Sequence, residues 1–232
     1  MGVFCRVVFL YRNETRKNFA MKMHVTEPLD WEVFNDLLDR IEFELLQYKK
    51  VCDRKNCDYE VQEINKAKYL VMMAVSGYFG VRAGDALKLQ WKQVLDKGPD
   101  DPIVIYEQKT RKDKVIPGLH PRLGRMIALA YSIVQPVSKE VPILHNYALE
   151  PIHVSSWNRI LKRLFQDYGI EVPQASSHVL RKTFAWEVYR HHGSDHDALL
   201  LTRDLLNHRN TRDTLTYLGI TKQKKREAYL SL

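Results

Sequence analysis

The sequence has no apolar stretch approaching the roughly 20 residues that a membrane-crossing helix needs. Its N-terminal apolar run, "VFCRVVFLYR", is shorter, carries two arginines and lacks the small-residue cleavage site of a signal peptide. A cytoplasmic protein is expected. Cysteine is scarce, and Cys5, Cys52 and Cys57 cannot all pair within one chain. They form no CxxC pair, and "CDRKNC" lacks the second half of a zinc site, so free thiols and no bound metal are expected. Also missing are a phosphate-cradling G-x-x-x-x-G-K-[ST] loop and a paired-carboxylate metal site, which leaves chemistry without nucleotide, metal or other cofactor. There is no internal repeat, low-complexity tract or heptad pattern.

What is present suits a globular protein. The 232 residues are 45% hydrophobic and 28% charged, enough for one large domain or a domain with a small appendage. The formal net charge of +8 is compatible with an acidic partner, of which nucleic acid is the commonest.

Two apolar, β-branched runs at 3–12 and 18–25 flank "NETRK", which predicts a β-hairpin over residues 1–26 with Arg12, Arg16 and Lys17 at its tip. Asp30 then caps a helix whose Trp31, Phe34, Leu37, Leu38, Ile41 and Leu45 recur at helical spacing. "VCDRKNCDYE" reads as a polar connection. A second helix follows, apolar at 69–75 and ending near Gly77 or Gly80, and another runs from about Ala83 to Trp91. "PIVIYEQK" and "DKVIP", joined by "TRK", predict a second hairpin with a basic tip. Helices are expected at 121–134, 154–168, 178–191, 197–207 and 211–218, with a short tail helix at 221–230. The expected fold is α+β, mostly helical with a small antiparallel sheet, and residues 27–232 form its principal domain.

Three stretches carry candidate chemistry. In "GVRAGDALKLQW", Arg82 and Asp85 are three apart, a spacing that lets a carboxylate orient a guanidinium on one helix face. Alone, that pattern is an ordinary helix salt bridge. In "SSHVLRKTFA", His178 and Arg181 share a helix face, and an imidazole beside a guanidinium suits a phosphate. In "LLNHRNTRDTLTYLGI", His208 precedes Tyr217 by nine residues. A tyrosine in a helix ordinarily packs its ring. Between the first and second stretches, Lys109 opens the basic hairpin tip.

Taken in order, these stretches resemble the catalytic domain of the tyrosine recombinases of the phage integrase family. "GVRAGDALKLQW" is similar to the family's first box, Lys109 to its hairpin lysine, "HVLRKTFA" to its H-x-L-R box, and "LNHRNTRDTLTYL" to its last box. Two positions depart from the usual pattern: Asn207 where glycine is usual before the histidine, and Lys182 where histidine is usual after the arginine. The family's helical core-binding domain has no counterpart in the 26 residues before the catalytic pattern, so the N-terminal hairpin is expected to substitute for it in part, or the chain is a minimal form or a fragment.

The resemblance implies a site-specific recombinase acting on double-stranded DNA as a homo-oligomer, a tetramer on two sites, in the nucleoid. It implies that Tyr217 attacks a backbone phosphate to give a 3′-phosphotyrosyl link. Arg82 and Arg181 would clamp the phosphate oxygens, Lys109 protonate the leaving 5′-oxygen, His178 act as base and His208 hydrogen-bond the phosphate. Asp85 would support Arg82, while Arg111, Lys112, Lys182 and Arg209 would contact DNA. A type IB topoisomerase-like enzyme and a non-catalytic DNA-binding regulator on the same fold are the alternatives.

Overall fold

A computed structural model describes residues 26–220 and 229–231. The expected N-terminal hairpin and the lysine-rich tail at 222–226 lie outside the described residues.

The first helix, α1 (Trp31–Lys55), starts where the Asp30 carboxylate accepts the Glu32 N–H and buries Phe34, Leu37, Leu38, Ile41 and Leu45 along one stripe. It runs through "VCDRK", which the polarity of the sequence assigned to a connection. Cys52 is buried on the same stripe, and the helix stops only at Asn56, in the left-handed conformation at φ 49°. Helix α2 (Val61–Phe79) is apolar on nearly every side from Ala67 to Gly77, because α1, α5 and α7 pack around it. At Gly77 an added Cβ would lie 2.2 Å from the Phe34 ring, so glycine lets α1 approach.

Gly80 ends α2 at φ +57°, and its position against Phe184 leaves no room for a side chain: a Cβ would fall 2.1 Å from Phe184 Cδ1. Gly80→Ala therefore combines left-handed strain with overpacking. It is expected to lower stability by about 1–3 kcal/mol, read as a shift of the urea midpoint at unchanged slope.

The single helix expected between Ala83 and Trp91 is instead two short ones, α3 (Ala83–Ala86) and α4 (Trp91–Val94). Gln90, at the break, caps α4 and bridges to Pro142. The hairpin follows the sequence expectation, with β1 (Ile103–Glu107) antiparallel to β2 (Lys112–Ile116) and Gln108–Arg111 at its tip. Strand alternation turns Ile103, Ile105 and Glu107 inward, and the register sets Lys114 opposite Ile105, so Lys114 is buried too.

Helices α5 (Pro121–Val134) and α6 (Val154–Asp167) complete the core with Leu123, Met126, Ile127, Trp157, Leu161 and Phe165. The last three, α7 (Ser177–His191), α8 (His196–Leu205) and α9 (Thr211–Leu218), pack in sequence, α7 lying on α2. In α9 only Thr214 is fully buried, so this helix is held by few side chains. The architecture is the mostly helical one with a two-stranded antiparallel sheet that the sequence predicts.

Candidate active site

The turn after α2, strand β1, helix α7 and the α8–α9 turn bring their charged side chains to one place. Arg82 is the residue before α3, in extended conformation at φ −70°, ψ 146°. It is not in the helix, so the three-residue spacing to Asp85 does not put the two on one helical face. Asp85 accepts the Gln108 N–H at 3.1 Å and thereby fixes the hairpin tip. The carboxylate that pairs with Arg82 is Glu107, at 2.9 Å, and the same oxygen lies 3.7 Å from Arg181.

Glu107 has no solvent exposure. Its other carboxylate oxygen accepts from Asn207 Nδ2 and Thr110 Oγ1, both at 3.0 Å. Burial would raise its pKa, but the Asn207 hydrogen bond, Arg82, the Thr110 hydroxyl and Arg181 together hold it below the usual value. Glu107 was not singled out in the sequence, yet the alternation of "IVIYE" carries the signal: it puts an acid in phase with two buried isoleucines. Asn207 sits at φ 51°, a left-handed conformation that glycine adopts freely and asparagine tolerates better than most residues. Its departure from glycine supplies the amide that holds Glu107.

Arg181 is almost wholly buried. Its guanidinium donates to the Gly80 carbonyl and, at 2.8 Å, to the Leu206 carbonyl, which fixes its plane between α2 and the α8–α9 turn. His178, one turn earlier on α7, keeps part of its surface in solvent, and its pKa is lowered by the partial burial of its ring and by Arg181, Lys182, Lys109 and Arg82. The influence of Lys109 brings the hairpin tip into the same field. Lys109, Arg111, Lys112 and Arg209 are exposed. Lys182 is differently placed: its ammonium donates to the Thr26 carbonyl at 2.8 Å and lies 5.3 Å from the centre of the Tyr217 ring.

Tyr217 stands on α9 with its ring 5.4 Å from that of His208, edge to face at 81°. Its hydroxyl is buried and makes no hydrogen bond of full geometry among the described residues, although the Arg181 guanidinium lies close enough to act on it. Burial pushes its pKa up to about 12, against the pull of Arg181 and Arg82. His208 Nδ1 lies 3.0 Å from Thr214 Oγ1, and desolvation, Arg181 and Arg82 bring its pKa down to about 4.

The imidazole of His208 is thus neutral at physiological pH, whereas in the unfolded chain it titrates near 6.5. Between those values the unfolded state binds more protons, so its contribution to stability is complete above about 6.5 and declines as pH falls toward about 4. His208→Gln is expected to flatten that part of the pH–stability curve, as measured by urea unfolding at several pH values.

Comparison with known proteins extends this picture. The sequence profile of the Phage integrase family matches residues 48–224. Tyrosine recombinase XerC of Pediococcus pentosaceus is 24% identical over 220 residues, covering 85% of this chain and 69% of its own length. Among solved structures, XerA recombinase superposes with a TM-score of 0.59 at 18% identity, over 92% of this chain and 66% of that one. XerH bound to its palindromic difH substrate gives 0.59 at 16%, over 88% of this chain. A lambda integrase dimer bound to a core site gives 0.54 at 15%, over 85%. The chain spans about half the length of the XerH and lambda integrase chains, 52% and 49%. At these identities the superpositions establish the fold.

Proposed function

The chain belongs to the phage integrase family, and on that premise we propose that it is a site-specific recombinase that cuts and rejoins double-stranded DNA through Tyr217. The observation that carries this reading is the Tyr217 hydroxyl, buried without a well-formed hydrogen bond among the described residues, beside a neutral imidazole and within reach of the Arg181 guanidinium. A phenol with its pKa near 12 is inert as a structural donor without an acceptor, yet it becomes a nucleophile once a base takes its proton. The two guanidiniums supply the charge that a pentacoordinate phosphate needs, already fixed in place by Glu107 and by backbone carbonyls.

The reaction then runs as follows. Tyr217 oxygen attacks phosphorus while His178, its pKa lowered by partial burial and then by its cationic neighbours, accepts the phenolic proton. Arg82 and Arg181 bind the non-bridging oxygens. In the tautomer in which His208 Nδ1 accepts from the Thr214 hydroxyl, 3.0 Å away, its other nitrogen is a donor for the phosphate. The P–O5′ bond breaks, Lys109 protonates the leaving oxygen, and a 3′-phosphotyrosyl link holds the energy of the broken bond for rejoining. Arg111, Lys112 and Arg209, exposed around this site, contact the backbone, and two DNA sites assemble on a homotetramer. Lys182 acts on the nucleophile more than on DNA, since its ammonium lies over the Tyr217 ring.

A pool of nicked duplexes of randomised sequence tests the reading. After denaturation, DNA that remains attached to protein is recovered, and mass spectrometry of the adduct identifies the linked peptide. A nucleotide on the Tyr217 peptide is expected, together with joining of two captured duplexes. Capture without joining points to a nicking-closing enzyme, and absence of capture from every duplex overturns catalysis in favour of a DNA-binding regulator.

A further inference from the structure

A third cation is buried behind the two arginines, and the reaction outlined above gives it no part. Lys114 projects inward from β2 with only 6% of its surface exposed. Its ammonium donates to the Leu205 carbonyl at 2.6 Å and to the Gly80 carbonyl at 3.4 Å, with the Phe184 ring 5.5 Å away. Arg181 takes the same Gly80 oxygen and the next carbonyl of the turn, that of Leu206. The last carbonyl of α8, that of Leu205, and the carbonyl of its cap Leu206 are therefore each held by a buried basic side chain, where the helix dipole is negative. The chain beyond them turns through left-handed Asn207, and the His208 N–H closes back on the Arg203 carbonyl at 3.0 Å. On its other side this turn is tied to β1 through Asn207 and Glu107.

Packing does not account for a charge at this position. A lysine normally lays its stem on apolar surface and keeps its ammonium in water. Replacing a whole buried ion pair or triad with hydrophobic residues of similar volume is often neutral or stabilising, so stability alone does not call for charge in such a place. Burial brings the pKa of Lys114 down to about 7, Arg181 and Arg82 pushing the same way and Glu107 opposing. This is a strained place for a cation, next to the site where a phosphate would bind.

We propose that Lys114 is a positioning residue for strand cleavage: from the hairpin it clamps the carbonyl end of α8 and so fixes the turn that presents His208 to the phosphate held by Arg82 and Arg181. This rests on the function proposed above. Lys114 touches no reacting atom and is distinct from Lys109, which stands exposed at the hairpin tip. It couples the hairpin to the α8–α9 turn, so the same hairpin both delivers Lys109 and aligns His208.

Two variants test this. Lys114→Met fills the space without donating, and Lys114→Gln keeps a donor without charge. On the duplex sequence that the wild-type protein selects from the randomised pool, the Met variant is expected to slow covalent capture by about 10²-fold, the cost of a small misplacement of a catalytic group. Duplex affinity should stay within about threefold, and the melting temperature should fall only by what the lost hydrogen bonds to Leu205 and Gly80 cost, leaving the variant folded at the assay temperature. The Gln variant should fall between. In the free protein, amide hydrogen exchange at Asn207 and His208 should quicken about tenfold in the Met variant while the core of α2 is unchanged. Capture by the Met variant within twofold of wild type overturns the proposal, as does a loss of capture that merely parallels a lowered melting temperature. If the wild-type protein captures no duplex, the recombinase reading fails by itself. The exchange experiment still decides whether Lys114 holds the turn: unchanged exchange at Asn207 and His208 overturns that clamp.

Discussion

Tyr217→Phe should abolish covalent capture of nicked duplexes, reducing it by roughly 10⁴-fold or more, while the protein still binds them. The substitution removes one oxygen. The ring keeps its edge-to-face contact with His208 and its place under the Lys182 ammonium, so α9 should stay docked. Losing a buried hydroxyl that makes no hydrogen bond of full geometry among the described residues should cost little stability. A gel-shift experiment and a thermal melt on the same preparation separate these outcomes. Retained capture by the Phe variant would transfer the nucleophile role to another residue.

The largest effect on stability should come from Glu107→Gln. The amide preserves shape but removes the carboxylate that, alone among the described residues, pairs with both Arg82 and Arg181, and it sets an NH₂ group against the Asn207 and Thr110 donors. Breaking a buried ion pair from one side typically costs about 3–5 kcal/mol, which urea unfolding at pH 7 would register. The pH dependence gives an independent check. Because the folded pKa of Glu107 lies below its unfolded value, its contribution is fully present above the unfolded value, near 4.5, and is lost as pH falls through the lower folded one. The wild-type and Gln curves should therefore converge only in acid. Asn207→Ala, which removes a single hydrogen bond to the same carboxylate but also puts alanine at φ 51°, should cost less than Glu107→Gln.

The two residues on which these predictions turn were unequally visible in the sequence. Tyr217 stands in a recognisable order of short motifs, each made of near neighbours in the chain. Glu107 is defined by partners 25, 74 and 100 positions away, at Arg82, Arg181 and Asn207, and no local pattern announces such a cluster. Only the period-2 phase of β1 hinted at it, and the same phase across the register hid Lys114. The helices were legible because their apolar stripes repeat locally. Where polarity misled, tertiary packing had prevailed: buried Cys52 carries α1 through a charged stretch, and the bridge at Gln90 splits an amphipathic run into two short helices. The Arg82–Asp85 spacing was read as helical, but Arg82 precedes the helix, and Asp85 serves the hairpin.

The tie from Thr26 through Lys182 to the face of Tyr217 has a practical side. On the proposed reading, the chain at residue 26 is linked through Lys182 to the face of the candidate nucleophile. Displacing the Thr26 carbonyl would loosen the placement of the Lys182 ammonium over the Tyr217 ring. If Tyr217 is the nucleophile, a change at this junction reaches the candidate site from outside it, through the charge that Lys182 holds over the ring.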